Sequence, residues 1–585
     1  MSIESGFSKL GLETVNDRAD VVVVGAGGAA MRAAVSAAER GASVIIVAKQ
    51  PVGTGGSTVH GASEIMGMGA VGFGDAQDSP EVHFRDTMDA ALGFIDPSLV
   101  RVLAQDAPER VRDLINYGVP FDRNADGSKK LIRSDFGTYA RALTVAGKTG
   151  AAVVKALAVR MQGLGVRVLS PLTLVDLIRD EDGRVTGVVA LDAQANRIHL
   201  IAANAVVLGT GGIHGLFSQQ VSTPDVVGDG QAICYRHGAE LINLEFHQCG
   251  TALIKPYVQL LSKPCFTVHP RLLNGERKPF LDQYLPAGVR LDEVFGEKVF
   301  PFTVSNASKY IDIAIAREIA AGRGTANGCV YFSYDHVDQA TLERVVPNTS
   351  RWMRERGVDM RTGTLEVGIA FQCLNGGVRM VDGDAQSSLP GLFVAGEIAG
   401  GVRGPDRPGG NSLAEGQVFG HRAGAAAARL KSGHVGSVTA SLEATLEACA
   451  TLARRNAGLD VLREAGALRQ AMQRHCMIEK TGDGLSGVLT QARSLTQALR
   501  QGGGAEKTGL ADALTLKNMA QSAEIVLRAC LNRCESRSGH YRLDYPERDD
   551  AHFRAAFIVK RAPDGPELTR HDYPTTSDNQ TGGAA

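Results

Sequence analysis

Hydrophobic residues enter this chain in short dense runs, and several of the early ones stop at a glycine cluster. The first, Asp20-Val-Val-Val-Val-Gly25, is β-branched and does not alternate, which predicts a strand covered on both faces. Gly25-Ala-Gly-Gly-Ala-Ala30 then turns into a helix predicted to end near Arg40, and Ser43-Val-Ile-Ile-Val47 supplies a second strand. Residues 1–18 read as a polar lead-in. Val166-Arg-Val-Leu169, Leu172-Thr-Leu-Val-Asp-Leu-Ile178 and Val185-Thr-Gly-Val-Val-Ala190 predict an antiparallel meander, with Asp182-Gly183 as a turn. Asn204-Ala-Val-Val-Leu-Gly-Thr-Gly-Gly212 is a further buried strand ending in glycines. A similar apolar run, Gly391-Leu-Phe-Val-Ala395, comes only after a long mixed stretch in which Tyr310–Ile319 has helical spacing. Beyond residue 430 the pattern is helical to about residue 535, interrupted at Gly502-Gly-Gly504.

A strand, a Gly-x-Gly-x-x-Ala turn, a helix and a second strand within about thirty residues form the context in which such a motif predicts dinucleotide binding. The fold class is therefore α/β: a Rossmann-like dinucleotide domain, an inserted α+β capping domain and a C-terminal helical domain. The predicted boundaries are a lead-in at 1–18, the first part of the nucleotide domain at 19–244, the cap at 245–366, the nucleotide return segment at 367–430, the helical domain at 431–540 and a tail at 541–585, whose final dozen residues are expected to be mobile.

Composition narrows the classes. The 62 basic and 63 acidic residues nearly cancel, so no basic excess supports nucleic-acid binding. The 69 glycines exceed the roughly 7% of average usage and sit in clusters, as tight nucleotide-binding turns require. Nine cysteines, an odd number without any C-x-x-C, argue for reduced thiols and a cytoplasmic protein, and against cysteine-ligated clusters. Cys530 and Cys534 read as two thiols on a helix, and no metal site is expected. No run approaches eighteen apolar residues, so direct membrane insertion is not expected.

The most informative stretch is Gly396-Glu-Ile-Ala-Gly-Gly-Val-Arg-Gly-Pro-Asp-Arg-Pro-Gly-Gly-Asn-Ser-Leu413. Its glycines allow close backbone approach to phosphates, and the helix predicted to start there offers free N–H groups. Arg407, in a glycine loop, offers a fixed guanidinium to an anion.

Together with Gly209-Thr-Gly-Gly212, Gly228-Asp-Gly230, Glu245-Phe-His-Gln-Cys-Gly250, Leu516-Lys-Asn-Met519, Ala523–Arg528, Cys534–Tyr541 and Asp544–Asp550, these motifs make the chain resemble the flavoprotein subunits of the succinate dehydrogenase/fumarate reductase family, with aspartate oxidase and adenylylsulfate reductase as relatives. The likeness runs from Asp20 to about Asp550. It implies FAD as cofactor. Gly25, Gly27, Gly28 and Ala30 would approach the pyrophosphate, Lys49 would stand where an NAD enzyme carries an acid, and Ser57 and Thr58 would lie near the flavin or its chain. Gly211 lies in the second glycine turn. Asp229 and Glu397 would bind ribityl or ribose hydroxyls, and Asn411, Ser412 and Leu413 would open the helix beside the isoalloxazine. Membrane-bound members attach FAD through a histidine where this chain has Ser57, so non-covalent FAD is expected, with His60 as the rival attachment point.

The resemblance also implies that His247 and Arg407 bind a substrate carboxylate, with Arg403 beside them. Three departures bear on the substrate. The family's Arg-Gly-Glu-Gly-Gly proton-shuttle string is missing, which leaves Arg271 or His269 as proton carriers. The second carboxylate-binding histidine is replaced by Gln372, which donates but carries no charge. Phe-His-Pro-Thr-Gly has become Phe246-His-Gln-Cys-Gly250. The expected activity is hydride transfer between flavin N5 and a carbon near a carboxylate, on an acid other than succinate. Alternatives are an oxygen-using amine or amino-acid oxidase and an electron-transfer component with a degenerate pocket. The expected partners are a small carboxylate substrate and an electron partner (iron–sulfur protein, quinone or oxygen), and the chain itself is a possible oligomer.

Overall fold

In the computed structural model, which describes residues 2–431, 436–454, 458–503 and 509–573, the first strand is longer than its apolar run. Strand β1 (Glu13–Val24) pairs in parallel with β2 (Val44–Val47) through Val21–Val24. The lead-in is thus part of the sheet and no polar preamble: Glu13–Ala19 lie in register with Arg197–Ala203. Those residues alternate because one face there stays wet, so they lack the continuous apolar signal of a doubly covered strand. Helix α1 (Gly28–Ala38) follows the turn at Gly25, whose φ of +113° only glycine adopts easily.

Strands β3 (Arg167–Leu169), β4 (Thr173–Arg179), β5 (Val185–Asp192) and β6 (Arg197–Leu208) complete most of the sheet, in the order β3-β2-β1-β6-β5-β4. Of the three runs predicted as an antiparallel meander, the second and third are β4 and β5, which pair antiparallel with β6 as the third member. Val166–Leu169 instead gives β3, which pairs in parallel with β2; the β1–β2 and β1–β6 pairings are also parallel. Helix α2 (Asp229–Arg236) begins at left-handed Gly228. The cap is an antiparallel sheet of β7 (His247–Lys255), β8 (Gln259–Leu260), β9 (Arg271–Leu273), β10 (Val330–Ser333) and β11 (Glu366–Leu374), in the order β8-β7-β11-β10-β9, with the helix Lys309–Ala320 against it. Strand β12 (Leu392–Val394) returns to the nucleotide sheet parallel to β6.

Helix α3 (Asn411–Arg429) lies so close to α1 that a Cβ on Gly424 would come 2.1 Å from the Ala33 carbonyl oxygen. Small residues on both helices let the two N-termini sit side by side over the sheet. Helices α4 (Thr439–Ala453), α5 (Val461–His475), α6 (Gly482–Gln501) and α7 (Leu510–Asn532) follow. The tail is more structured than its composition suggests: β13 (Ala556–Ala562) and β14 (Gly565–His571) form a hairpin, and β13 pairs with Leu241–Ile242. Its polar alternation reflects a largely solvent-facing hairpin. The last dozen residues lie outside the described ones. Among the described residues no helix is long and apolar enough to cross a membrane.

Candidate active site

The carboxyl ends of β1, β2, β6 and β12 face a long cleft roofed by cap residues Leu260, Ser262, Phe300 and Gln372. It encloses about 2070 Å³ of non-atom space, part of it open to solvent. Position at strand ends and at helix starts is what a dinucleotide site needs.

The floor is built for close approach. A Cβ on Gly25 would stand 2.3 Å from the Gly209 carbonyl oxygen, so the two glycine turns touch. Gly27 caps α1 and left-handed Gly410 caps α3, neither with a side chain of its own to bond the first turn. The Gly28 amide donates to Thr58 Oγ1 at 3.3 Å, and further first-turn N–H groups remain for an acceptor. Gly28, Ser57, Thr58, Gly211, Ser412 and Leu413 also line the cleft. Ala30 does not; it is fully buried where its methyl packs under Gly209. Asn411 also stays behind the wall, its side-chain amide bonded to His83 at 2.8 Å and to Thr87 at 3.0 Å, where it fixes the start of α3.

Polar side chains around the floor hold one another. Lys49 Nζ lies 2.6 Å from Asp229 Oδ2, and Asn518 donates to Asp229 Oδ1 at 2.7 Å. Glu397 accepts from Ser57 Oγ at 3.3 Å and from the Leu374 amide at 3.0 Å. His60 is exposed, with its ring against the Thr54 carbonyl at 2.9 Å. The buried Thr210 Oγ1 and Gln417 Oε1 have no protein partner. Orphaned buried polar atoms beside glycine turns and uncapped helix starts fit a ligand with many hydrogen-bonding groups, which FAD is.

At the cap end the candidates separate. Arg407 lines the cleft; one of its nitrogens donates to Gln248 Oε1 at 3.0 Å, and its buried Nε has no partner. Arg403 also lines it, but its guanidinium is occupied by Glu415 at 2.8 Å and by the carbonyls of Leu374 and Ala399. It frames the loop: its terminal nitrogens are held by carbonyls, and its Nε faces Glu415 as an ion pair without hydrogen-bond geometry. Gln372 faces the cleft with a buried, unpartnered Oε1.

His247 does not reach the cleft. It is 1% exposed, its ring centroid is 6.0 Å from those of Phe217 and Phe371, and burial pushes its pKa down to about 3. Its neighbour Gln248 projects the other way and holds Arg407, so the alternation of a strand puts the expected histidine on the wrong face. Arg271 and His269 also lie away from the cleft: Arg271 is half exposed and pairs with Asp335 at 3.1 Å, and His269 stacks on Phe295. The residue that sequence reasoning missed is Asp135, which lines the cleft between Gly409 and Phe300 and accepts a hydrogen bond from the Phe300 amide at 3.4 Å. Burial raises its pKa. Only its place beside the Arg407 loop reveals it, and no local motif carries that.

Residues 20–413 match the family model for the FAD binding domain, and 465–580 match that for the fumarate reductase flavoprotein C-terminus. The chain is 33% identical over 545 residues to one of the subunits of the CoM/CoB fumarate reductase of Methanothermobacter marburgensis, covering 90% of this chain and 94% of that one. L-aspartate oxidase of Streptomyces coelicolor is 30% identical, with 93% and 92% covered. The solved structure of Mycobacterium smegmatis Sdh1 in complex with UQ1 superposes with a TM-score of 0.81 at 29% identity, covering 96% of this chain and 95% of that one.

Proposed function

The chain belongs to the FAD-binding succinate dehydrogenase/fumarate reductase flavoprotein family and is an FAD-dependent oxidoreductase of that type, and from this premise we propose that it interconverts a saturated and an unsaturated small carboxylic acid. When bound, FAD supplies or accepts the hydride. The single observation that carries the substrate class is Arg407, a buried cation in the cleft with an unpartnered Nε and with Gln248 setting the rotation of its fork. A buried guanidinium needs an anion, and a carboxylate matches it. Gln372 reads the other end of the substrate through an uncharged amide, which favours a hydroxyl, an amide or an amine there over a second carboxylate.

Asp135 holds the proton. Burial favours its neutral acid form, and it stands on the Arg407 side of the cleft beneath Phe300 of the cap. Phe300 and Leu260 give the cap side of the cleft an apolar lining. Ser57 in place of an attaching histidine supports FAD that dissociates on denaturation. The Methanothermobacter relative is by name one component of a larger reductase, which supports a separate electron partner, an iron–sulfur protein or a quinone; the 30% identity to an aspartate oxidase keeps oxygen as the alternative acceptor.

The test is to purify the yellow protein anaerobically, find the acid that bleaches its flavin or the enoate that reoxidises the dithionite-reduced protein, and then compare variants. Arg407→Ala should lose roughly 10- to 100-fold in kcat/KM, the equivalent of one charge-assisted contact, with FAD retained. Asp135→Asn should bind the acid normally and lose the pH dependence of reduction. Acid precipitation should leave the flavin in the supernatant. Wild-type rates in Arg407→Ala would end the reading, and peroxide formed on turnover would favour the oxidase.

A further inference from the structure

The histidine that misses the cleft meets two thiols. His247, Cys476 and Cys530 place one donor atom each within 4.8 Å of the others, and all three are buried. They come from three separate elements: the first residue of β7, the residue that caps the end of α5, and the body of α7. The backbone carbonyls of Cys476 and Met477 lie beside the His247 ring, but neither ring nitrogen has a hydrogen-bond partner of good geometry. A fully buried imidazole held only by poorly aligned contacts is costly in an ordinary core, and a ligand on its nitrogen would offset that cost.

We propose that His247, Cys476 and Cys530 bind a zinc ion. Two thiolates and a neutral imidazole are the mixed sulfur and nitrogen donors that zinc prefers, and a water completes the tetrahedron. Charge also fits. The Lys480 ammonium is fully buried nearby, bonded to the Met477 and Gly539 carbonyls at 2.6 and 3.3 Å. One Zn²⁺ replaces the two thiol protons, so the net charge that Lys480 experiences does not change on binding.

The site has a mechanical consequence. The residue after His247 is Gln248, the partner of Arg407, so a metal on His247 ties the base of the cap strand to α5 and α7 and steadies the amide behind the substrate arginine. No part of this depends on which acid the enzyme uses, and zinc can be measured without turnover.

FAD-loaded protein grown with zinc should contain one zinc per chain by plasma mass spectrometry. Its zinc K-edge absorption should fit two sulfurs at about 2.3 Å and one imidazole nitrogen at about 2.0 Å. The Cys476→Ser/Cys530→Ser double variant should lose that zinc. Should it fail to retain flavin, His247→Gln alone should show weaker retention against a competing chelator and one nitrogen fewer in the absorption fit. The melting temperature of wild type should rise with zinc concentration, and that of the variants should not. Flavin-replete wild type without zinc, or variants that retain it with the same sulfur shell, would overturn the proposal.

Discussion

Neighbours in one glycine loop do opposite work. Arg403 has the Glu415 carboxylate beside its Nε and carbonyls of the frame on its terminal nitrogens, whereas four residues on Arg407 is met by the uncharged Gln248 and pairs with no carboxylate among the described residues. Between them lies Asp406, 6% exposed, whose carboxyl burial pushes up to about 7. Its folded pKa stands above the unfolded value of about 3.9, so its contribution to stability is complete below about pH 4 and is lost as pH rises through about 7. At about 1.4 kcal/mol per pKa unit, the loss is at most about 4 kcal/mol. Asp406→Asn cannot ionise and should flatten this dependence. Melting temperatures measured from about pH 5 to about pH 9 should fall further in wild type than in Asp406→Asn, and parallel profiles would refute the assignment.

At the scale of elements, the glycine turns carry the clearest demand on sequence. Gly25 combines a φ of +113° with a space in which a Cβ would meet the Gly209 carbonyl oxygen at 2.3 Å. Gly25→Ala therefore meets both backbone strain and a backbone clash, and should yield protein without bound FAD; the ratio of flavin to protein absorbance checks this, and a fully yellow variant would contradict it. Such turns are legible because the conformation excludes other residues, and β1, β2 and β12 are legible because doubly covered strands are continuously apolar. The polar start of β1 and the hairpin β13–β14 escaped notice because their exposed faces read like loop. The side on which His247 falls was hidden for another reason. The face of a strand is set by pairing with distant β11, and the β7–β11 register shifts between Gln248 and Cys249. A motif match fixes position along the chain but not the face, and Asp135 had no motif at all.

Across the whole molecule, one buried ion network connects the end of the chain to the start of the cap. Arg533 is fully buried; its Nε donates to Glu245 Oε1 at 2.8 Å, and its terminal nitrogens reach Glu535 at 2.9 Å and the carbonyls of Phe553 and Ala555 at 2.7 and 2.8 Å. Arg537 closes the network on Glu535 and Asp550. The Arg533 guanidinium also lies 4.7 Å from the Phe246 ring centroid, two residues before the glutamine that holds Arg407. A desolvated guanidinium with its donors occupied gives little net stability over an apolar core. Removing it, however, strands Glu245 where no other cation among the described residues bonds it. Arg533→Met should therefore cost about 3–5 kcal/mol in denaturant unfolding followed by far-ultraviolet circular dichroism. Flavin release should begin at lower denaturant than in wild type, because the segment loosened first leads into β7. A loss below about 1 kcal/mol would mean that the carboxyl-terminal segment docks through its apolar contacts, with the network a passenger.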